Sequence, residues 1–149
     1  MIDTVFKILS PQDIEDFSAL IDVFEEVFGM QRFVKPDKEY LQQVLSKPHF
    51  LALVAKADNK VVGGLTVYIL DQYYSQKPLV YLYDLAVLAE FQRKGIGAAL
   101  IRYLNSYCKE KGYEEVFVQA DREDGYALDF YRSTKPAGEE DVVHFYYSL

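Results

Sequence analysis

The 149 residues suit one domain with a single core, long enough to bury about two-thirds of the surface of the unfolded chain. Hydrophobic residues make up 50% and charged ones 26%, which excludes a disordered or fibrous chain. The formal net charge of −7 runs against nucleic acid, whose phosphates attract basic surfaces; it suits a cationic small molecule, or solubility alone.

Val5 to Leu9 has the composition of a short strand. Ser10-Pro11-Gln12-Asp13 then offers an N-cap, a proline for the first helical position and an early acid, so a helix is expected to open there. Ile14, Phe17, Ile21, Phe24 and Phe28 form its apolar stripe and Gly29 its terminator. A second helix is predicted over about Asp37 to Ser46, with Tyr40, Leu41, Val44 and Leu45 on one face and Pro48 beyond its end. His49 to Ala57 and Lys60 to Leu70 flank Asp58-Asn59, the signature of a two-residue hairpin. Gly63-Gly64 inside the second of these strands marks a bulge or a close backbone approach.

After a polar and aromatic loop from Asp71 to Pro78, Leu79 to Leu88 reads as a central strand. A long helix follows, its apolar face made by Ile96, Leu100, Tyr103, Leu104 and Tyr107, with Gly112 just past its end. Glu115 to Ala120 is expected as a strand, Asp124 to Ser133 as a short helix and Val142 to Tyr147 as a final strand. The predicted order is β-α-α-β-β-β-α-β-α-β, a mixed α/β sheet in one domain over 1–149, without linker or repeat.

The longest apolar runs, Leu51 to Ala55 and Val61 to Leu70, fall far short of the ~20 residues that cross a bilayer. Met1-Ile2-Asp3-Thr4 lacks the basic and apolar parts of a secretory signal, so a cytoplasmic location is expected. Cys108 is the single cysteine and no activating base accompanies it, which predicts a buried, inert thiol. No Cys/His grouping has metal-ligand spacing, and no metal is expected.

Gln92-Arg93-Lys94-Gly95-Ile96-Gly97-Ala98-Ala99-Leu100 joins the central strand to the long helix. Two glycines let an anion reach the main chain, where the first N–H groups and the positive end of the helix dipole point at it. Arg93 and Lys94 add positive charge in an acidic protein. A dinucleotide fingerprint fails because Leu100 stands where a third glycine belongs, and a Walker loop fails because Lys94 precedes its glycine with no hydroxyl after it. A phosphate cradle and a plain strand-to-helix turn both remain compatible with the local pattern.

Over nearly its whole length the chain resembles the GNAT N-acetyltransferases. Their pattern Gln/Arg-x-x-Gly-x-Gly/Ala is met by Gln92, Gly95 and Gly97, after the strand Asp84-Leu85-Ala86-Val87. The resemblance implies the GNAT acyl-CoA N-acyltransferase fold, with acetyl-CoA as cosubstrate. Main-chain groups of Arg93, Lys94, Gly95, Ile96, Gly97 and Ala98 would hold the CoA pyrophosphate, and those of Leu85, Ala86 and Val87 the pantetheine. Ala127-Leu128-Asp129-Phe130-Tyr131 is similar to the later family motif that presents a tyrosine to the CoA sulfur. Tyr131 is thereby the candidate acid, a role its phenol fits because it can share its proton with the departing thiolate. By spacing alone, Tyr131 reads equally well as a core aromatic.

Tyr81 to Val87, Val118-Gln119-Ala120-Asp121 and Val142-Val143-His144-Phe145 are similar to the type I aminoglycoside 3-N-acetyltransferases, as are Phe24 to Gly29 and Pro36 to Leu41. The chain departs from that pattern at Ser133 to Gly138, where those proteins continue into Leu-Gly and an apolar residue. This likeness implies acetylation of a polycationic amine, an aminoglycoside antibiotic at its 3-amine. Asp84 is the candidate for the amine's proton, because a carboxylate in an apolar strand needs a compensating partner or solvent; a structural hydrogen bond is the competing role. Asp121, Glu123 and Asp124 are candidates for binding ammonium groups, or else a solvated loop, and His144 reads as structural or catalytic. The expected partner is a small-molecule amine, not nucleic acid or membrane, and a homodimer is an allowed assembly. Acetylation of another amine, or non-catalytic CoA binding, are the competing functions.

Overall fold

The computed structural model describes residues 3–149; Met1 and Ile2, part of the start read above for a secretory signal, lie outside the described residues. The chain divides into two compact units, Met1–Gln119 and Ala120–Leu149.

The first unit is built on a five-stranded sheet, β1 (Thr4–Ile8), β2 (Phe50–Ala57), β3 (Lys60–Leu70), β4 (Leu79–Val87) and β5 (Glu115–Val118), paired in that order. The first three pairings are antiparallel and β4–β5 is parallel. Helices α1 (Ile14–Phe28) and α2 (Lys38–Leu45) cover one face, and α3 (Ile96–Lys111) the other. Strand alternation divides the core accordingly: Leu53, Ala55 and Ala57 of β2 join Ile96, Leu100, Leu104 and Cys108 of α3. Ala52 and Val54, one step out of phase, join Phe17, Leu20, Val23, Phe24, Leu41 and Leu45 of the other helices.

Helix α1 starts at Ile14, not at Ser10-Pro11. Ser10 N–H donates to the Asp13 carboxylate at 2.8 Å, and Asp13 N–H donates to Ser10 O at 2.9 Å. Those bonds close a turn that contains Pro11 and Gln12 and postpones the helix. The Asp13 carboxyl also accepts from Lys7 Nζ at 2.8 Å, and this pairing holds its pKa down to about 2. Phe28, placed on the apolar stripe, is exposed and stacks on Phe24. In α2, Asp37 accepts from Tyr40 N–H as N-cap, while Leu41 and Leu45 are buried and Tyr40 is exposed.

The β2–β3 hairpin turns through Asp58 and Asn59 at φ 49° and 63°, the left-handed pair of a type I′ turn. Beyond it, Ala55 pairs with Gly63 but Lys56 with Val61, so Val62 is the extra residue of a bulge. Gly63 and Gly64 permit close approach. A Cβ on Gly63 would lie 2.9 Å from Ala86 O, and one on Gly64 would lie 2.5 Å from Leu53 O and 2.6 Å from a Leu20 methyl. The long helix packs through Ile96, Leu100, Leu104 and Cys108, with Tyr103 at the exposed margin, and ends at Gly112 in the left-handed conformation. Cys108 is buried, and burial pushes its thiol up to about 11.

The second unit contains α4 (Gly125–Ser133), capped by Asp124, whose carboxylate accepts from Ala127 N–H at 3.1 Å. Arg132 forms a two-bond pair with Glu139, and Arg122 pairs with Asp141. The strand expected over Val142 to Tyr147 is not formed: residues 138–149 have no regular secondary structure and are exposed. A strand needs a neighbour to take its backbone hydrogen bonds, and this unit contains no other strand among the described residues. The strand expected over Glu115 to Ala120 stops at Val118.

Candidate functional site

The candidate site grows from the second half of β4. Thr66 pairs with Asp84 but Val67 with Leu82, which makes Tyr83 the extra residue of a bulge. Its effect is a change of parity. Val80 and Leu82 before it, and Leu85 and Val87 after it, all belong to the α3 side of the core. Tyr83 and Asp84 therefore emerge together on the α1/α2 side, where Ala86 also packs. An uninterrupted strand would have turned Asp84 toward α3.

The parallel partner β5 pairs only with Leu79 to Leu82, whereas β3 follows β4 to Val87. From Tyr83 to Val87 the edge of β4 opposite β3 thus has no strand beside it among the described residues. Leu85, Ala86 and Val87 present main-chain groups along this edge, an arrangement able to pair with an extended amide-containing ligand. Gln92 spans the end of the edge, its Nε2 donating to Val87 O at 2.7 Å.

A short 3₁₀ turn, Ala89–Phe91, leads from β4 to the glycine segment. Arg93 and Gly95 have φ of 60° and 84°, and the exposed Arg93 and Lys94 flank the start of α3. Gly95 is the N-cap and no side chain caps this end. The first intrahelical bond runs from Ala99 N–H to Gly95 O at 3.0 Å, so the N–H groups of Ile96, Gly97 and Ala98 point out of the helix. Three N–H donors, the positive end of the dipole and two cations make this end receptive to phosphate. Asp84, Leu85 to Val87 and Gln92 to Ala98 are thus assembled within one unit.

Asp84 is half-buried, and burial raises its carboxyl above the ordinary range. Beside it runs a row of rings that the sequence reading did not single out. Phe17, Phe50, Tyr68, Tyr83, Tyr81 and Phe117 follow one another at centroid separations of 5.7, 5.3, 5.5, 5.7 and 4.8 Å. Tyr81 donates to Gln119 Oε1 at 3.1 Å, and burial raises the Tyr68 phenol, helped by Tyr83 and Asp84. The alternation Tyr81-Leu82-Tyr83 was the available signal; the cross-strand neighbours Tyr68 and Phe117 were not adjacent in sequence.

The remaining candidates lie in the second unit. Asp121 accepts from Glu123 N–H at 3.0 Å and its carbonyl accepts from Asp124 N–H, so this acidic cluster forms the turn that opens α4. Tyr131 is half-buried on α4 with its ring 5.0 Å from that of Phe130. His144 is exposed, 6.1 Å from the ring of Tyr146. No group of His, Cys, Asp and Glu suited to holding a metal ion occurs among the described residues, and no helix among them is long and apolar enough to cross a membrane.

Comparison with known proteins agrees with this geometry. The model of the Acetyltransferase (GNAT) family matches residues 17–134. The aminoglycoside acetyltransferase meta-AAC0020, from an uncultured soil metagenomic sample, has been solved in complex with trehalose; it is 56% identical, with TM-score 0.97 over 98% of this chain and 96% of its own. Its complex with sisomicin matches at 55% identity, TM-score 0.97 and the same coverage. A second soil metagenomic aminoglycoside acetyltransferase, HMB0005, is 31% identical, with TM-score 0.92 over 99% of both chains. No curated protein matches significantly. With the family model spanning most of the chain and an uncapped, glycine-led helix where its motif requires one, this protein belongs to the GNAT acetyltransferase family and is an N-acetyltransferase.

Proposed function

We propose that the enzyme transfers the acetyl group of acetyl-CoA to an amine of an aminoglycoside, at the 3-amine of its deoxystreptamine ring. The observation that carries this reading is the 55% identity, over 98% of the chain, to an aminoglycoside acetyltransferase solved with sisomicin. The acidic character of the chain, −7 overall, supports a polycationic acceptor. The position on the ring rests on the likeness of Val118 to Asp121 and Val142 to Phe145 to the 3-N enzymes.

In this reading the CoA pyrophosphate lies against the N–H groups of Ile96, Gly97 and Ala98, with Arg93 and Lys94 beside it and Gln92 bracing the loop. The pantetheine amides pair along Leu85, Ala86 and Val87, where β4 lacks a neighbour. Asp121, Glu123 and Asp124 receive ammonium groups, and the rings of Tyr68 and Tyr83 offer a surface for the apolar faces of sugar rings. The acceptor amine, once neutral, attacks the thioester carbon; a C–N bond forms, the C–S bond breaks, and CoA leaves as thiolate. Asp84 takes the amine's proton, a task suited to a carboxylate raised by burial, and Tyr131 supplies a proton to the thiolate.

Turnover of a gentamicin-type acceptor, followed by thiol release and mass spectrometry, tests the proposal. One added acetyl group is expected, and fragmentation should place it on the 3-amine. Inert aminoglycosides alongside an efficiently acetylated monoamine would refute the substrate; acetylation elsewhere on the molecule would refute the position alone.

A further inference from the structure

We propose that Thr66 is a positioning residue for Asp84: its hydroxyl donates to the carboxylate once Asp84 is ionised, holding one oxygen while the other faces the acceptor amine. The two residues are directly opposed. Thr66 pairs with Asp84 in the β3–β4 register, at the last regular step before the bulge at Tyr83. Parity puts both side chains on one face. Leu65 and Val67, which flank Thr66, belong to the α3 side of the core, so Thr66 points to the α1/α2 side, as does its β2 partner Ala52. The bulge turns Asp84 to that same side. Opposed residues of an antiparallel pair have Cβ atoms about 4.5–5.5 Å apart, within the joint reach of a hydroxyl and a carboxyl group.

Thr66 is also the one buried polar or charged side chain among the described residues, at 6% exposure. Valine would suit the strand equally, so packing accounts for the methyl group and leaves the hydroxyl unexplained. Asp84 supplies the need for it. Burial raises its carboxyl, and among the described residues no hydrogen bond or cation offsets that effect; once ionised, a half-buried carboxylate requires a donor. Around it the titratable groups are Tyr83 on its own strand, Tyr68 on β3 and, acting on Tyr68, Tyr40 on α2. From β2 and α1 this side of the core receives Phe50, Ala52, Phe17, Leu20, Val23 and Phe24, none of them titratable. The three phenols are exposed, whereas the Thr66 side chain is fixed by burial and by its branched Cβ. A hydroxyl both donates and accepts, so the contact can persist when Asp84 takes a proton.

The catalytic role rests on Asp84 as proton acceptor, as proposed above; the bond itself does not, and two readouts separate them. Carbon-13 NMR of the Asp84 carboxyl, identified by its loss in Asp84→Asn, gives its titration midpoint in the folded, ligand-free enzyme. Thr66→Val, which removes the hydroxyl and keeps the branched shape, should raise that midpoint by about one pH unit or more, and Thr66→Ser should return it toward wild type. The acid limb of kcat/KM for an aminoglycoside should move by the same amount, while the KM for acetyl-CoA stays unchanged. A raised midpoint with an unmoved acid limb would refute Asp84 as the acceptor, and with it the catalytic role of Thr66, while leaving the bond. An unmoved midpoint in folded Thr66→Val would overturn the proposal whatever the rates. In the wild-type enzyme the Thr66 Cβ resonance should titrate with the Asp84 midpoint and lose that inflection in Asp84→Asn; a Cβ resonance that ignores Asp84 would overturn the proposal even if Thr66→Val fails to fold.

Discussion

Gly63 and Gly64 are adjacent in sequence, but alanine at each should fail differently. Alanine in place of glycine ordinarily stabilises a compatible position by about 0.4–1 kcal/mol, because it restricts the unfolded chain. Gly64 is not compatible: its new Cβ would sit 2.5 Å from Leu53 O, a main-chain atom in the sheet, and 2.6 Å from a methyl of Leu20, which is fully buried. Neither neighbour has room to retreat. Overpacking of this kind costs about 1–3 kcal/mol, and at roughly 4 °C per kcal/mol for a chain of this size Gly64→Ala should lower Tm by about 4–12 °C. At Gly63 the Cβ would instead press on Ala86 O at 2.9 Å and Val87 Cα at 3.2 Å, the main chain proposed to hold pantetheine. Gly63→Ala should therefore raise the Michaelis constant for acetyl-CoA more than it lowers Tm, whereas Gly64→Ala should do the reverse. Thermal unfolding by circular dichroism and initial-rate kinetics at varied acetyl-CoA separate the two effects. Unchanged melting of Gly64→Ala would refute the steric reasoning, and an unchanged Michaelis constant in a folded Gly63→Ala would remove the assignment of this edge to CoA.

Gly97→Glu should abolish CoA binding in calorimetry by placing bulk and negative charge among the N–H groups of α3; wild-type affinity in a folded variant would count against the cradle. Tyr131→Phe should fold normally and turn over at least about tenfold more slowly, and unchanged turnover across the pH range would make Tyr131 a packing residue. Burial raises the Asp84 carboxyl, so the folded protein holds this proton more tightly than the unfolded chain, and stability is lost as pH rises from the ordinary carboxylate value through the raised one. Asp84→Asn should accordingly increase Tm at pH 7 while reducing turnover, with the gain in Tm shrinking toward pH 3; a lower Tm at pH 7 would refute desolvation as the dominant effect. Cys108, buried and pushed up to about 11, should ignore a thiol reagent at pH 8 in the native state and react fully on unfolding, whereas rapid native reaction would contradict its burial.

The elements governed by local chemistry were legible in the sequence. Asp58-Asn59 specified its turn, Gly29 and Gly112 ended their helices in the left-handed conformation, and Ile96, Leu100 and Leu104 marked the buried face of α3. Local signals failed where a competing bond intervened. Ser10 and Pro11 have the composition of a helix start, but the Asp13 carboxylate bonds to Ser10 and makes a turn instead. Val142 to Tyr147 has the composition of a strand, but strand formation is decided by a neighbour and not by composition. At the site, the glycine segment and the strand preceding it could be read directly, since spacing along one stretch of chain determines that geometry. The ring row could not, because Phe17, Phe50, Tyr68 and Phe117 reach Tyr81 and Tyr83 only through sheet register and helix packing.

The bulge at Tyr83 links these features into one device. Val80 and Leu82 anchor the first half of β4 in the α3 side of the core and also pair with β5; the extra residue then shifts phase, so Leu85 and Val87 keep that anchorage while Asp84 faces the opposite side. Without the extra residue, either the apolar residues or the carboxylate would sit on the wrong face, and an unpaired carboxylate under α3 would be severely penalised. The parallel pairing ends where the bulge begins, which leaves Leu85 to Val87 bonded to β3 on one side and, among the described residues, without a strand on the other. A single inserted residue thereby places a partly desolvated carboxylate, an exposed tyrosine and a main-chain edge beyond the reach of β5 within five positions of one another. The glycine-led start of α3 follows directly after them. Under the proposed function, with Asp84 as the proton acceptor and Leu85 to Val87 as the edge for the cosubstrate, the sheet would fix the two relative to one another, as a mobile loop would not.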